Sequence, residues 1–369
     1  NELLLLKLQY AHLPGSEDLG ALTERFLQNQ SHMQREAKLN LAYAFMRQEL
    51  QEIHLKGKII NLTALTIMTI RKYKISIRDL MSYKSVYQIL FIANEYAAIQ
   101  QNYGLIERHI ARANKYIRNQ GDNKTSYLFY HITMLYFSAN LHVRKNDFAK
   151  SASYLDEMMN LMVSDSRYYA LFHLRYELLF ALNLYFTGFA ADAIMRLQKA
   201  LSDTKNKHKA EDIEDARLCL VMFLAQSNDR QSVKQLTLLP RTHAWYEKNM
   251  GMLWAIRKSL MEILVQAQFS NIELAMSRLT SFRRRYKKYL LKTSEDRVLL
   301  FLKLVEKYMM NPNVISEDSH RKAVLSLLSS AENNDIFSLS FIAWLIARWE
   351  KKTTCEVALA LMQNNDHLH

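Results

Sequence analysis

The densest group of charged side chains is a basic cluster near residue 285. Its charge is carried by Arg283, Arg284, Arg285, Lys287, Lys288 and Lys292. Such groups bind phosphates without sequence specificity. At helical spacing they point away from a buried side formed by Leu279, Phe282, Tyr286 and Tyr289, which predicts a cationic ridge rather than rings interleaved for base stacking. Nucleic-acid or other polyanion binding at this ridge is therefore one hypothesis, and a solvated convex face is the simpler alternative.

Sequence signatures of catalysis are lacking. The chain has no Gly-rich nucleotide loop, no nucleophile elbow and no zinc-protease motif. His131 and His142 stand about three helical turns apart, which gives no shared metal site, and we assign His367 and His369 to a frayed tail. We therefore expect a protein that is not an enzyme and that uses no cofactor and no metal.

The net charge and the cysteines restrict the partner and the compartment. A net charge of +13 favours acidic partners, among them nucleic acid and acidic proteins. The two cysteines, Cys219 and Cys355, lie far apart in helical patterns, which excludes a disulfide framework and predicts free thiols in a reducing, cytoplasmic environment. The longest uncharged run, Thr125 to Val143, contains histidines and polar residues, so we interpret it as a buried helix and expect no membrane span.

Helices must position all of these residues. The chain has seven Gly and three Pro, where average usage would give roughly 26 and 18. Strands and hairpins need turn residues, so this scarcity favours helices joined by short polar turns. A spacing of about 42 residues recurs among mostly small or apolar anchors at Ile67, His109, Ser151, Ala193, Val233 and Ala275. Such a period predicts an all-α superhelical solenoid, in which each unit buries its apolar face against its neighbours.

Each unit divides into a longer helix A and a shorter amphipathic helix B. By residue number, the expected pairs are 83–103 with 105–117, 127–145 with 148–162, 167–187 with 190–202, 210–226 with 231–239, 246–269 with 272–291, 296–310 with 316–333, and 336–350 with 353–364. Asn146 and Asp147 read as a turn and helix N-cap, and Gly188 as the residue after a helix C-terminus.

The solenoid is predicted to extend over residues 1–369 as a single domain. Before the pairs, the pattern predicts helices near 17–29 and 31–55, the latter ended by Gly57. Residues 1–58 are expected to continue an upstream segment, residues 59–294 to form the regular helix-turn-helix repeats, and residues 295–369 to form less regular capping repeats.

The alternation resembles the tetratricopeptide-repeat (TPR) superfamily in its broad, TPR-like sense. That family places a small residue in helix A and another early in helix B, as Ala139 with Ser151 and Ala181 with Ala193 do here. The chain departs from the family in its longer period, in lacking the Trp-Leu-Gly-Tyr series and in having no Pro at the end of most repeats.

The resemblance implies a concave groove lined by the A helices that binds a protein or peptide. The family's groove positions fall here on Asn94, Gln101, Tyr136, Asn140, Arg144, Arg175, Leu178, Leu182 and Tyr185. Amides can hold an extended peptide backbone and Arg can fork onto a carboxylate. The alternative is that these polar residues are ordinary surface and the aromatic ones pack between repeats. A third hypothesis is an accessory role beside a hydrolase or phosphatase, since some TPR-like regulators act on partner enzymes.

Overall fold

The computed structural model describes residues 1–56, 62–75, 83–100, 104–119, 127–203, 209–293, 295–329 and 335–365. Across these ranges the chain is helical, with turns and no strand. The α-helices are α1 (Glu2–Gln9), α2 (Leu19–Lys56), α3 (Leu62–Tyr73), α4 (Tyr83–Gln100), α5 (Gly104–Asn119), α6 (Leu128–Arg144), α7 (Phe148–Val163), α8 (Ser166–Phe186), α9 (Ala190–Ser202), α10 (Ala210–Gln226), α11 (Gln231–Thr237), α12 (His243–Asn249), α13 (Met252–Gln268), α14 (Ile272–Lys292), α15 (Asp296–Met310), α16 (Asp318–Ser329), α17 (Ile336–Glu350) and α18 (Thr354–Asn365).

Seven antiparallel helix pairs follow the first three helices, so the all-α, TPR-like solenoid is confirmed. The A helices are α4, α6, α8, α10, α13, α15 and α17, and each packs on the B helix that follows it. Hydrogen bonds between successive units repeat at the predicted period. The Tyr185 hydroxyl donates to the Phe223 carbonyl at 3.3 Å, and Gln268 Nε2 donates to the Ala225 carbonyl at 2.7 Å.

The turn between helix A and helix B has the same backbone geometry in four successive units. Asn146, Gly188, Asn228 and Ser270 all have positive φ, between 58° and 98°. The next residue in each turn donates its N–H five residues back, as Asp147 does to the His142 carbonyl at 2.8 Å. This is the Schellman motif, which ends a helix by satisfying its last carbonyl groups. The Asn146 and Gly188 turns predicted from the sequence are two cases of one repeated device.

The small anchors explain how the helices approach one another. Ser151, Ala193 and Ala275 are completely buried, and the Ser151 hydroxyl accepts a hydrogen bond from Asn183 Nδ2 at 2.9 Å. Three anchors are out of phase with the core. His109 is partly exposed, while its neighbour Ile110 takes the buried position. Ile67 is 46% exposed, while Leu65 takes the buried position. The fully buried Ser232 likewise replaces Val233, because α11 is only two turns long and presents one narrow face.

Four predicted helices differ from the structure. The separate helices at 17–29 and 31–55 are one 38-residue helix, α2, because the sequence between them holds no Pro or Gly to break it. The predicted helix 246–269 is divided into α12 and α13 at Gly251, whose φ of 90° and ψ of 157° are open to glycine alone. The predicted helix 316–333 begins later: a 3-10 helix, Pro312–Ser316, comes first, and α16 starts at Asp318 and is described as far as Ser329.

Across the described ranges, no helix combines the length and the apolar character that crossing a membrane would require. Both cysteines are free thiols, Cys219 buried and Cys355 partly exposed. The predicted helix end at Gly57 and the histidine tail at 367–369 lie outside the described residues.

The repeated positive φ generates a stability prediction. Ser270 is the one serine among the four turn residues, and a left-handed backbone costs a residue with a Cβ about 1–2 kcal/mol. We expect Ser270→Gly to raise the free energy of unfolding by about 1 kcal/mol, measured by urea denaturation. Ser326→Gly is the matched control, because Ser326 is equally exposed but lies inside α16, where glycine should lower stability by about 0.5–1 kcal/mol. Stabilisation of both variants, or of neither, would contradict the assignment.

Candidate functional site

A cavity lies where successive A helices face the inside of the superhelix. It has a volume of about 180 Å³. Its walls are Asn94 on α4, Tyr136, Asn140 and Arg144 on α6, Leu178, Leu179 and Leu182 on α8, Asp215, Leu218 and Cys219 on α10, Met250 after α12, Leu253, Trp254 and Arg257 on α13, and Phe337 on α17. Nearly the whole lining therefore comes from A helices, and helix α17 is the last of them.

The lining repeats with the period of the fold. Asn94, Tyr136 and Leu178 stand 42 residues apart in turn, and Leu218 and Arg257 follow at nearly the same spacing. Equivalent positions of five successive A helices thus face one space. The cavity is a product of the repeat itself, because stacking the units in register brings these side chains around a common axis.

Two arginines of the cavity lining share one buried aspartate. Asp335, immediately before α17, is only 1% exposed at its side chain. Arg144 Nη1 on α6 lies 2.8 Å from Asp335 Oδ1, and Arg257 Nη2 on α13 lies 3.2 Å from Oδ2. The ring of Phe337 faces both guanidinium groups, with its centroid 4.5 Å from Arg144 Cζ and 5.3 Å from Arg257 Cζ. Opposite charge and cation–π contact thus join three helices that are distant in sequence.

A second carboxylate, Asp215, lies in the wall of the cavity. It accepts a hydrogen bond from Trp254 Nε1 at 3.1 Å, and Trp254 stacks on Tyr246 with ring centroids 5.0 Å apart. Burial raises the pKa of the Asp215 carboxyl, and the Trp254 hydrogen bond and the positive charge of Arg144 oppose this effect. The cavity therefore offers both signs of charge between apolar walls.

Most of the predicted groove residues line the cavity. Asn94, Tyr136, Asn140 and Arg144 line the cavity together with Leu178 and Leu182. Arg175 lies beside it: its Nε is 2.8 Å from Asp212 Oδ1, and its Cζ is 5.7 Å from the centroid of the Tyr136 ring. Burial raises the pKa of Tyr136 to about 12, so its hydroxyl stays protonated and can donate. Gln101 lies outside the described residues.

Tyr185 belongs to the core rather than to the cavity wall. Its side chain is completely buried and stacks on Phe223, with ring centroids 4.1 Å apart and an interplanar angle of 6°. The groove position carried over from the family therefore holds an inter-repeat packing residue here. Tyr185 is one residue from the end of α8, close to the turn that follows, and there its ring packs against Phe223 of the next A helix, α10.

The basic ridge lies on α14, away from this cavity. As predicted, Phe282 and Tyr286 are buried and the charged side chains lie on the other side. Arg283 forms a bidentate pair with Glu306 at 2.7 and 2.6 Å, and Arg285 pairs with Glu247. Arg284, Lys287, Lys288 and Lys292 are exposed. Carboxylates on neighbouring helices thus neutralise part of the charge that the sequence places on the ridge.

Comparison with known proteins concerns the fold. No protein-family model matches the sequence, and no curated protein matches it. The structure is similar to a Rap protein solved in complex with Competence and Sporulation Factor, with 13% identity, a TM-score of 0.63 and coverage of 99% of this chain and 98% of that one. It is also similar to aspartyl phosphate phosphatase F from Bacillus subtilis, with 14% identity, a TM-score of 0.51 and coverage of 98% and 91%. The chain has a TPR-like, all-helical repeat fold of this kind.

Sequence reasoning missed nine of the fifteen residues that line the cavity. Extending the spacing of Tyr136 and Leu178 by one period and then another reaches Leu218 and Arg257, so the repeat itself carried a signal for those two residues. Asp335 and Phe337 had no such signal. Phe337 reaches the cavity, and Asp335 reaches Arg144, only because the superhelix curves far enough to bring α17 opposite α6.

The raised pKa of Asp215 generates a pH prediction. The folded state holds this proton to higher pH than the unfolded state, where an Asp carboxyl has a pKa of about 3.9. The stabilising effect of the protonated carboxyl is therefore lost as pH rises through the folded pKa. We expect Asp215→Asn to gain stability relative to the wild type between pH 4 and pH 7.5 in urea denaturation. Asp192→Asn, at an exposed position on α9, is the control and should show no comparable gain.

Proposed function

We propose that this chain is a non-enzymatic scaffold that binds a peptide segment in the channel formed by its A helices. One observation carries the proposal: equivalent positions of five successive A helices, from Asn94 to Arg257, converge on a single cavity. Its polar groups are spaced along an apolar wall, which is the arrangement expected of a site that orients a ligand through a few hydrogen bonds.

The chemistry of the lining suits a peptide backbone. Asn94 and Asn140 each present an amide that both donates and accepts, as a peptide bond does. Tyr136 and Trp254 add rigid surface, and Leu178 and Leu182 form apolar ground between them. The net charge of +13 would assist the encounter with an acidic segment.

The structural neighbours support a binding function for this fold but do not identify the ligand of this chain. The Rap protein was solved with Competence and Sporulation Factor bound, so a fold of this kind accommodates a bound factor. Polyanion binding through the ridge receives less support, because Glu306 and Glu247 already pair with Arg283 and Arg285.

The test is selection of peptides from a random library on the full chain, followed by fluorescence anisotropy with the peptides recovered. We expect Asn140→Ala to weaken their binding about fivefold, since one net hydrogen bond contributes about 1 kcal/mol. The control is Asn160→Ala, at an exposed position on the outer helix α7, which should leave affinity unchanged. The proposal fails if no recovered peptide depends on Asn140, or if both variants lose affinity equally.

A further inference from the structure

The contact between Asp335 and the two arginines is unusual for a repeat protein. Units of a solenoid pack on their neighbours, yet Asp335 binds Arg144 across 191 residues of sequence. The body of α17 packs mainly on α18 and α16, which are its neighbours in the chain. Its link to α6 therefore depends on the side chains of its first turn and the residue before it.

The Asp335 side chain makes this contact instead of capping its own helix. Asp335 is the N-cap residue of α17, a position where an Asp side chain usually accepts a hydrogen bond from the first turn of its own helix. Here its side chain makes no such bond, and both of its oxygens face arginines. Phe337, two residues further, faces the same two guanidinium groups with its ring.

The space that remains is smaller than the pockets in which ligands are commonly bound. Ligand pockets commonly measure about 300–1,000 Å³, whereas this cavity measures about 180 Å³ and Phe337 forms part of its wall. An extended peptide would gain room and two arginine partners if the Asp335 and Phe337 side chains left the arginines.

We propose that the segment Asp335–Phe337 is an internal competitor, and that the groove recognises a peptide in which an acidic residue stands two positions before an aromatic one. This inference rests on the proposed function and specifies its ligand. The ligand carboxylate would replace that of Asp335 between Arg144 and Arg257, and its aromatic ring would replace Phe337. Both arginines are less than one-fifth exposed, so removal of Asp335 without a substitute would take from each of them a buried carboxylate in a poorly solvated site.

Displacement of the Asp335 and Phe337 side chains costs free energy, and this cost lowers the apparent affinity for the ligand. An open form populated at about a tenth or less reduces the apparent affinity about tenfold or more, because only the open form binds. A ligand without the carboxylate would not replace the negative charge of Asp335 between the arginines and would leave the closed form in place.

The probe is an acetylated and amidated peptide with the sequence of residues 335–340, Asp-Ile-Phe-Ser-Leu-Ser, together with the same peptide carrying Asn in place of Asp. Titration calorimetry on the full chain should show the acidic peptide binding Asp335→Asn at least tenfold more tightly than wild type. Phe337→Ser serves as a second variant, with thermal melting as the check on folding for both. Glu306→Gln is the control, because it weakens another arginine–carboxylate pair, Arg283 with Glu306, that lies away from the cavity, and it should leave affinity unchanged.

Wild type at millimolar peptide supplies a measurement that needs no variant: the acidic peptide must bind more tightly than its Asn counterpart. Equal binding of the two peptides, or equal affinity of the acidic peptide for wild type and Asp335→Asn, would overturn the inference. These results are separable from the proposed function. Library peptides that depend on Asn140 would still support a binding groove if the exchange at the arginines failed.

Discussion

Each helical hairpin of this chain can bury its apolar face only against the hairpins beside it, and the rest of the structure follows from that constraint. The buried stripe of α9, with Ala193 and Leu197 completely inaccessible, has no partner within α9 itself. It is covered by α8 and α10. Because every unit has the same need, the units stack in one direction and their A helices gather on the inside.

The turn between the two helices of a unit makes this stacking regular. A left-handed residue followed by a backbone hydrogen bond five residues back ends helix A at the same angle in four units. Helix B then leaves with a fixed orientation, so the small residues Ser151, Ala193 and Ala275 meet the neighbouring helices closely. A constant geometry per unit adds up to a curved array, and the curvature creates the channel.

Curvature also explains why one highly charged contact beside the cavity joins helices that are far apart in the chain. Arg144 and Arg257 belong to the second and fifth pairs, and Asp335 stands at the start of the seventh. Burying three charges is costly unless they satisfy one another, so their meeting selects a particular degree of closure of the superhelix. A second link, from Trp344 Nε1 to Gln268 Oε1 at 3.1 Å, acts between α17 and α13. The shape of the cavity is thus coupled to the position of the last helix pair.

The sequence by itself determined the helices, the period and four of the cavity-lining polar and aromatic side chains. Composition, apolar spacing and turn residues are local properties, so the limits of α9, α10 and α17 could be predicted to the residue, and Asn94, Tyr136, Asn140 and Arg144 followed from the repeat register. Only the tertiary structure decided that Tyr185 lies in the core, that Glu306 and Glu247 neutralise two ridge arginines, and that Asp335 meets Arg144. The physical reason is that small rotations between successive units accumulate along the stack. The pattern of residues within one unit does not determine the total rotation, so it cannot predict which distant helices meet.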